Sequence, residues 1–387
     1  MPQSRATTDE IRITLPDGSV RTVPAGTTAR ALAESLGARL ARDAVAAKVN
    51  GEIWDLNRPI TGDATVEILT PRSPEALYPL RHSSAHVLAT AVRQLFPGAG
   101  IGFGPPIEDG FYYDFDVPRP FTPEDLAAIE ERMREVVEAD YPFVREEVDR
   151  EDARRRFKDD PLKLERLEEL GDDEVISVYT NGPFVDLCRG PHVPSTGYVR
   201  HFKLLHAAGA YWRGDSRRPM LQRIYGTAYF TREDLEADLR RREEAEKRDH
   251  RVLGKQLDLF SIQDDVGPGL ILWHPRGAVI QFELRRLIED EILKRGYQLV
   301  YTPHLTREQL FYRSGHLPLY EQNQFPAMAA GQGEGEEVRY RAKPMNCPFH
   351  ILIYAARQRS YRDLPLRLAE VANVYRNELS GTLHGML

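Results

Sequence analysis

The chain has 387 residues, of which 41% are hydrophobic and 29% charged, and a net charge of −7. That length favours two to four domains, each able to bury its own core. No run of about 18 apolar residues occurs, which excludes an apolar membrane-spanning helix, and the acidic balance argues against non-specific coating of nucleic acid while leaving room for a local basic face.

The polar residues 1–10 lack an apolar h-region, so no secretory leader is expected. Residues 9–70 read as a small mixed domain. Alternation over 11–15, a turn at Asp17-Gly18 and a second run over 20–23 predict a hairpin. Thr27 and Thr28 can cap a helix over 29–36. Residues 46–49 and 66–69 supply two more strands, and Asn50-Gly51 turns the first of them into Glu52–Trp54. This order suggests a ubiquitin-like β-grasp. It holds no His, no Cys and no useful carboxylate cluster, so it reads as an accessory or RNA-contacting module.

Residues 71–79 form a proline-containing linker, and a second domain is expected over 75–230. His82 and His86 open an amphipathic segment that runs through 87–96. Four residues apart, they share a helix face and could bind metal or position a water, although two unrelated histidines would look the same. An alternating strand is predicted over 111–115, and Thr122, Pro123 and Asp125 signal a capped helix reaching about Ala139. Lys163 lies in another amphipathic segment, 162–170. Asp186, Cys188 and His192 then gather in a strand and turn. The two pairs, His82/His86 and Cys188/His192, could form a four-ligand zinc site. Without metal they could hold and activate a water for hydrolysis. The second reading is preferred, because a closed metal site leaves Lys163 and Asp186 without a purpose. Aromatic residues interleaved with arginine over 211–215 and 221–225 suit either a nucleic-acid surface or a core with surface arginines.

The charged stretch 231–255 reads as an exposed linker helix, and 256–387 as a further unit. A long amphipathic helix is predicted over 279–294, with Phe282, Leu287, Ile288 and Ile292 on its apolar side, ended by Gly296. A strand follows over 297–301. The Gly/Glu-rich stretch 331–337 reads as a mobile surface loop. Lys343-Pro344-Met345-Asn346-Cys347-Pro348-Phe349-His350 places a soft ligand, Cys347, at the mouth of a helix. Arg376 and Glu378 share one face of a segment expected to be extended. A thiolate beside such a pair suits an anionic, nitrogen-bearing substrate. Cys188 and Cys347 lie in segments of different character, so reduced thiols are expected and a disulfide between them is not.

Together these motifs resemble the bacterial threonyl-tRNA synthetase family, over essentially the whole chain. Residues 9–70 look like its TGS domain. His82-x-x-x-His86 with Cys188-x-x-x-His192 looks like its editing domain. The helix from Gly277 with the strand ending at Pro303 resembles class II motif 1, and Arg376-Asn377-Glu378 with 380–385 resembles the first half of motif 2. The resemblance implies an α+β, multidomain fold: β-grasp, α+β editing domain, and part of a class II antiparallel-sheet catalytic domain. It implies ligation of threonine to tRNA(Thr) with ATP, and hydrolysis of mischarged seryl-tRNA(Thr).

The roles are likewise implied by resemblance. Arg376 would bind the α-phosphate of ATP and the amino-acid carboxylate, Glu378 the adenine end, and Met345 would line the threonine pocket. Cys347 would be one of three ligands of a zinc ion, one per complete site, that takes the threonine amino and hydroxyl groups. A metal that must be ligated by oxygen rejects valine; serine passes, which is why editing exists. Mg²⁺ would accompany ATP. His82, His86, Lys163, Asp186, Cys188 and His192 would position water and the tRNA 3′ adenosine. The second arginine of motif 2, two zinc-binding histidines, motif 3 and the anticodon domain are expected beyond Leu387. This polypeptide alone is therefore not expected to aminoacylate. A cytoplasmic homodimer without membrane attachment is the family's pattern.

Overall fold

The computed structural model describes residues 10–171, 173–212, 218–267, 270–330 and 338–377. It divides into two units, Met1–Arg241 and Arg242–Leu387.

In the first unit, β1 (Glu10–Thr14) and β2 (Val20–Pro24) form an antiparallel hairpin that buries Ile11 and Ile13. β3 (Thr27–Thr28) leads into α1 (Ala29–Leu36), where the Thr28 side chain accepts the Ala31 N–H. α2 (Ala38–Asp43), β4 (Ala46–Val49) and β5 (Glu52–Trp54) follow. Asn50 and Gly51 both take positive φ in the β4–β5 turn, as an Asn-Gly hairpin requires. β6 (Pro59–Ile60) and β7 (Ala64–Leu69) end the domain. The sheet order is β2-β1-β7-β4-β5; β1 and β7 are parallel, the other neighbours antiparallel. Leu32 and Ala33 of α1 share a core with Ile11, Ile13 and Val66. This is the expected β-grasp.

A 3-10 turn over Pro74–Ala76 interrupts the expected linker and runs straight into α3 (Leu77–Leu95). α3 differs from the amphipathic expectation: its residues 79–92 are all buried. The reason is local. Ser83, Ser84 and Thr90 each turn their hydroxyl onto the carbonyl four residues back, at 2.7–2.8 Å, which lets polar residues enter a core.

β8 (Gly100–Ile101), β9 (Pro106–Ile107) and β10 (Gly110–Asp116) come next. α4 (Pro123–Glu138) starts with the Thr122/Asp125 capping box read from the sequence. β11 (Val144–Glu147), α5 (Arg150–Arg156), α6 (Pro161–Glu168), β12 (Ser177–Asn181), β13 (Phe184–Leu187), β14 (His201–Tyr211) and β15 (Met220–Tyr229) complete the second domain. Two antiparallel sheets result, β14-β15-β10-β8 with β9 on β10, and β11-β12-β13. α3 lies between them, packed on β10 and β15, on α4 and on β13. Arg223 is used inside the first sheet: it forks onto Asp114 at 2.7 and 2.9 Å and lies over the Tyr112 ring.

The charged stretch read as one linker helix is two, α7 (Arg232–Lys247) and α8 (His250–Gln256). Asp249 leaves helical geometry and caps the second with its side chain.

In the second unit, β16 (Phe260–Ile262) and β17 (Ile271–Trp273) pair antiparallel and lead to α9 (Pro275–Lys294). Phe282, Leu287 and Ile288 of α9 are exposed. β18 (Gln298–Leu299), β19 (Leu305–Arg307), α10 (Gln309–Arg313), β20 (Met328–Ala330), β21 (Val338–Ala342), α11 (Cys347–Ala355) and β22 (Leu368–Ala369) follow. β19-β21-β20 is antiparallel, whereas β18 and β22 pair in parallel. Residues 371–377 belong to no strand, unlike the extended segment expected around Arg376. The loop 331–337 lies outside the described residues. Among the described residues no helix is long and apolar enough to cross a membrane.

Candidate active site

α3 sets His82 and His86 one turn apart. β13 delivers Asp186, and the turn after it carries Cys188 and His192. Gly190 lets that turn pass close to its neighbours. Its φ is +73°, and a Cβ there would lie 2.1 Å from the Tyr179 hydroxyl, so no other residue fits.

The four side chains converge. Cys188 Sγ stands 3.3 Å from His82 Nε2 and 3.3 Å from His192 Nε2. One ligand atom from each of His82, His86, Cys188 and His192 lies within 4.8 Å of all the others. Their partners fix the tautomers. His82 Nδ1 faces the Pro191 carbonyl at 3.2 Å and therefore carries the proton. Ser83 Oγ donates to the Pro79 carbonyl, so it accepts from His192 Nδ1–H at 3.1 Å. Both Nε2 atoms thus turn lone pairs toward one thiol. His86 Nε2 faces Asp186 Oδ2 at 3.4 Å and donates to it, while its Nδ1 is buried with no hydrogen-bond partner.

Burial sets the charges. It lowers His82 to about 4 and His86 to about 3, so both are neutral at pH 7. His192 is driven well below the usual range by burial, with His82 and His86 adding to the effect. Burial, then Asp186, pushes the Cys188 thiol far up, so it stays protonated. Burial also opposes charge on Asp186, but the adjacent Lys163 and His86 outweigh it and its pKa is lowered. Lys163 is ion-paired with Asp186 and lies 3.1 Å from the Tyr113 hydroxyl, which donates to Asp186 at 2.5 Å. His82, His86, Lys163, Asp186 and Cys188 line a cavity of about 520 Å³, with Tyr78, Phe103 and Trp212 on its apolar wall. All six residues singled out in the sequence are therefore brought together, with His192 behind the cavity wall. Tyr113, Ser83 and Tyr179 were not singled out. Each reads as an ordinary strand or helix residue, and only the fold reveals its partner.

One consequence concerns stability. Unfolded, the histidines titrate near 6.5; folded, His82 and His86 titrate near 4 and 3. The unfolded state then binds more protons as pH falls from 6.5, so stability is complete above 6.5 and declines toward pH 4. For His82 alone the loss is about 3 kcal/mol. Urea melts of metal-free protein should show this fall, and a midpoint flat across that window would contradict neutral burial.

Three domain-family models match the chain: the TGS domain over 11–70, the threonyl and alanyl tRNA synthetase second additional domain over 176–225, and the tRNA synthetase class II core domain (G, H, P, S and T) over 332–387. The threonine–tRNA ligase of Citrifermentans bemidjiense is 52% identical over 381 residues, 98% of this chain and 59% of that protein. That of Acidobacterium capsulatum is 49% identical over 416 residues, 98% and 60%. That of Streptococcus gordonii is 50% identical over 378 residues, 97% and 58%. Over nearly its whole length the chain is similar to these threonine–tRNA ligases. It spans about three-fifths of the length of these relatives.

The synthetase-core residues lie in the second unit. Tyr375 N–H donates to the Lys343 carbonyl at 2.9 Å, and Arg376 Nε to the Pro344 carbonyl at 3.3 Å. The two stretches singled out in the sequence thus lie side by side. Beneath them Lys343 is fully buried, 2.8 Å from Thr302 Oγ1 and 3.3 Å from Glu370. Glu370 also takes the Thr302 N–H at 2.8 Å and lies 3.1 Å from His350 Nε2. Burial opposes its charge, and these hydrogen bonds outweigh it and lower its pKa. Met345 is half-buried; Cys347 is exposed at the first position of α11. Glu378 and 380–385 lie outside the described residues. The zinc expected of a threonyl-tRNA synthetase does not fit the described part of this unit. A catalytic zinc takes three protein ligands, and among the described residues Cys347 joins no cluster of metal-binding side chains.

Proposed function

We propose that the first unit hydrolyses serine from mischarged seryl-tRNA(Thr). The second unit supplies ATP- and threonine-binding groups for ATP-dependent ligation of threonine to tRNA(Thr). The observation that carries the hydrolytic reading is the convergence of three neutral histidines and one thiol beside the buried Lys163–Asp186 pair, on a cavity.

In this reading the histidine lone pairs hold a water against the ester carbonyl of the bound seryl group. The water oxygen bonds to the carbonyl carbon, and its proton passes to an imidazole. The bond to the ribose oxygen then breaks and the proton goes to that oxygen, leaving serine and free tRNA. Asp186 keeps His86 oriented by accepting its Nε2–H, and Lys163 keeps Asp186 ionised. A protonated, buried Cys188 is no nucleophile; it hydrogen-bonds. The donor set also fits zinc. His82, His86, Cys188 and His192 offer one ligand each, and their outer ring N–H groups are held by a carbonyl, a carboxylate and a hydroxyl. With three of the four as ligands and the fourth position left open, a metal there would lower the pKa of a bound water.

The editing domain spans 75–230 and the TGS domain 9–70. Arg376 binds the α-phosphate and the amino-acid carboxylate, as its planar fork allows. Met345 lines the threonine pocket, Glu378 meets adenine, Cys347 contributes to a zinc site with ligands from further residues, and Mg²⁺ accompanies ATP. The assembly is a cytoplasmic homodimer.

The test is serine release from Ser-tRNA(Thr) by the purified chain without ATP, with and without chelator. Release that survives chelation supports metal-free water activation. Release lost on chelation moves the chemistry to a metal. No release from folded protein in either condition overturns the hydrolytic reading.

A further inference from the structure

We infer that Asp55, in the small N-terminal domain, is a positioning residue for the hydrolytic pocket of the second domain. The inference rests on the hydrolytic reading above. Asp55 follows β5 and does not line the cavity. Its Oδ1 accepts the backbone N–H of His192 at 2.7 Å, and its Oδ2 accepts the Tyr179 hydroxyl. The Tyr179 ring meets the His192 imidazole edge-on, with centroids 4.5 Å apart. The same hydroxyl abuts Gly190, where the backbone has no room for a side chain.

The turn 190–192 is therefore clamped on two sides. From inside, Ser83 receives both His192 Nδ1–H and the Val193 N–H, and His82 meets the Pro191 carbonyl. From outside, the Asp55 carboxylate closes the clamp. Burial acts against a carboxylate here and raises its pKa, so the arrangement persists through the hydrogen bonds it makes. Those bonds end on the His192 backbone and on Tyr179, whose ring meets the His192 imidazole. Removing the carboxylate leaves the His192 N–H without its acceptor and frees the turn by a fraction of an ångström. Misplacement on the scale of about 1 Å lowers rates by about 10²-fold.

Asp55→Ala, Asp55→Asn and Tyr179→Phe in the 387-residue chain test this. Three quantities are read: single-turnover serine release against protein concentration, melting temperature, and alkylation of Cys188 by iodoacetamide, followed by peptide mass spectrometry with exposed Cys347 as internal reference. Asp55→Ala should lower the maximal rate by about 10- to 100-fold, with the half-saturating concentration little changed and Cys188 alkylated faster. Asp55→Asn should recover most of both, because its side-chain oxygen still accepts from His192. Tyr179→Phe should fall between. The inference is overturned if Asp55→Ala matches the parent in rate and alkylation, or if Asp55→Asn is as impaired as Asp55→Ala. Should the parent itself release no serine, the hydrolytic reading fails separately. Cys188 alkylation then decides whether Asp55 holds the turn: faster in Asp55→Ala supports it, unchanged sinks it.

Discussion

Serine release by the His86→Ala variant is expected to fall by about 10²- to 10⁴-fold, the range lost with a group that takes up or delivers a proton in the transition state. The fold should survive. Position 86 lies inside α3, where alanine is favoured, and Asp186 keeps Lys163 and Tyr113 as partners when His86 is gone. Cys188→Ala should behave alike for a different reason. Two unprotonated Nε2 atoms face the sulfur at 3.3 Å, and the S–H is the one proton the thiol can offer them. Without it nothing in the side chain orders the two rings. Rates within threefold of the parent for both variants, with unchanged melting, would remove these residues from the chemistry. A seryl thioester trapped on Cys188 would replace water activation by covalent catalysis.

Lys163→Met should destabilise the first unit by about 3–5 kcal/mol, the usual consequence of stranding one charge of a buried pair. Lys163 and Asp186 are 4% and 3% exposed at their side chains, so solvent screening relieves little of this. Lys163→Met/Asp186→Leu, which removes both charges, should recover much of the loss. The pH dependence has a fixed sign. The folded pKa of Asp186 lies below its ordinary value, so the stability it contributes is present above that ordinary value and is lost as pH falls through the folded pKa. In Lys163→Met the carboxyl is no longer held down and protonates earlier, so the gap between parent and variant should narrow on acidification. Urea melts at several pH values would read it. A variant as stable as the parent at pH 7 would mean the pair is not desolvated.

The β-grasp was legible because it is built from local signals. Alternation at Ile11 and Ile13, the Asn50-Gly51 turn and the Thr28 cap each specify a piece of backbone within a few residues. The Thr122/Asp125 box was legible for the same reason. The pocket was legible as a set of residue types, since two pairs of soft donors at helical and turn spacing are uncommon. Its depth was not. α3 carries serines, a threonine, an arginine and histidines where an amphipathic pattern would put solvent, and only tertiary packing makes their self-satisfied hydroxyls a core. Asp55 was illegible altogether. It sits after a strand, as turn aspartates commonly do, and its partners are more than a hundred residues away along the chain. Arg223 carried an ambiguous signal, and its bidentate bond to Asp114 resolved it toward the sheet.

The link from Asp55 to His192 bears on how such a protein can be cut and recombined. The proline-containing stretch after residue 70 looks like the natural place to separate a module for transplantation. A graft beginning there would carry every side chain of the pocket and yet lose the acceptor that holds the backbone of His192. Transferring deacylation at its full rate to another scaffold should therefore require the β-grasp to travel with it.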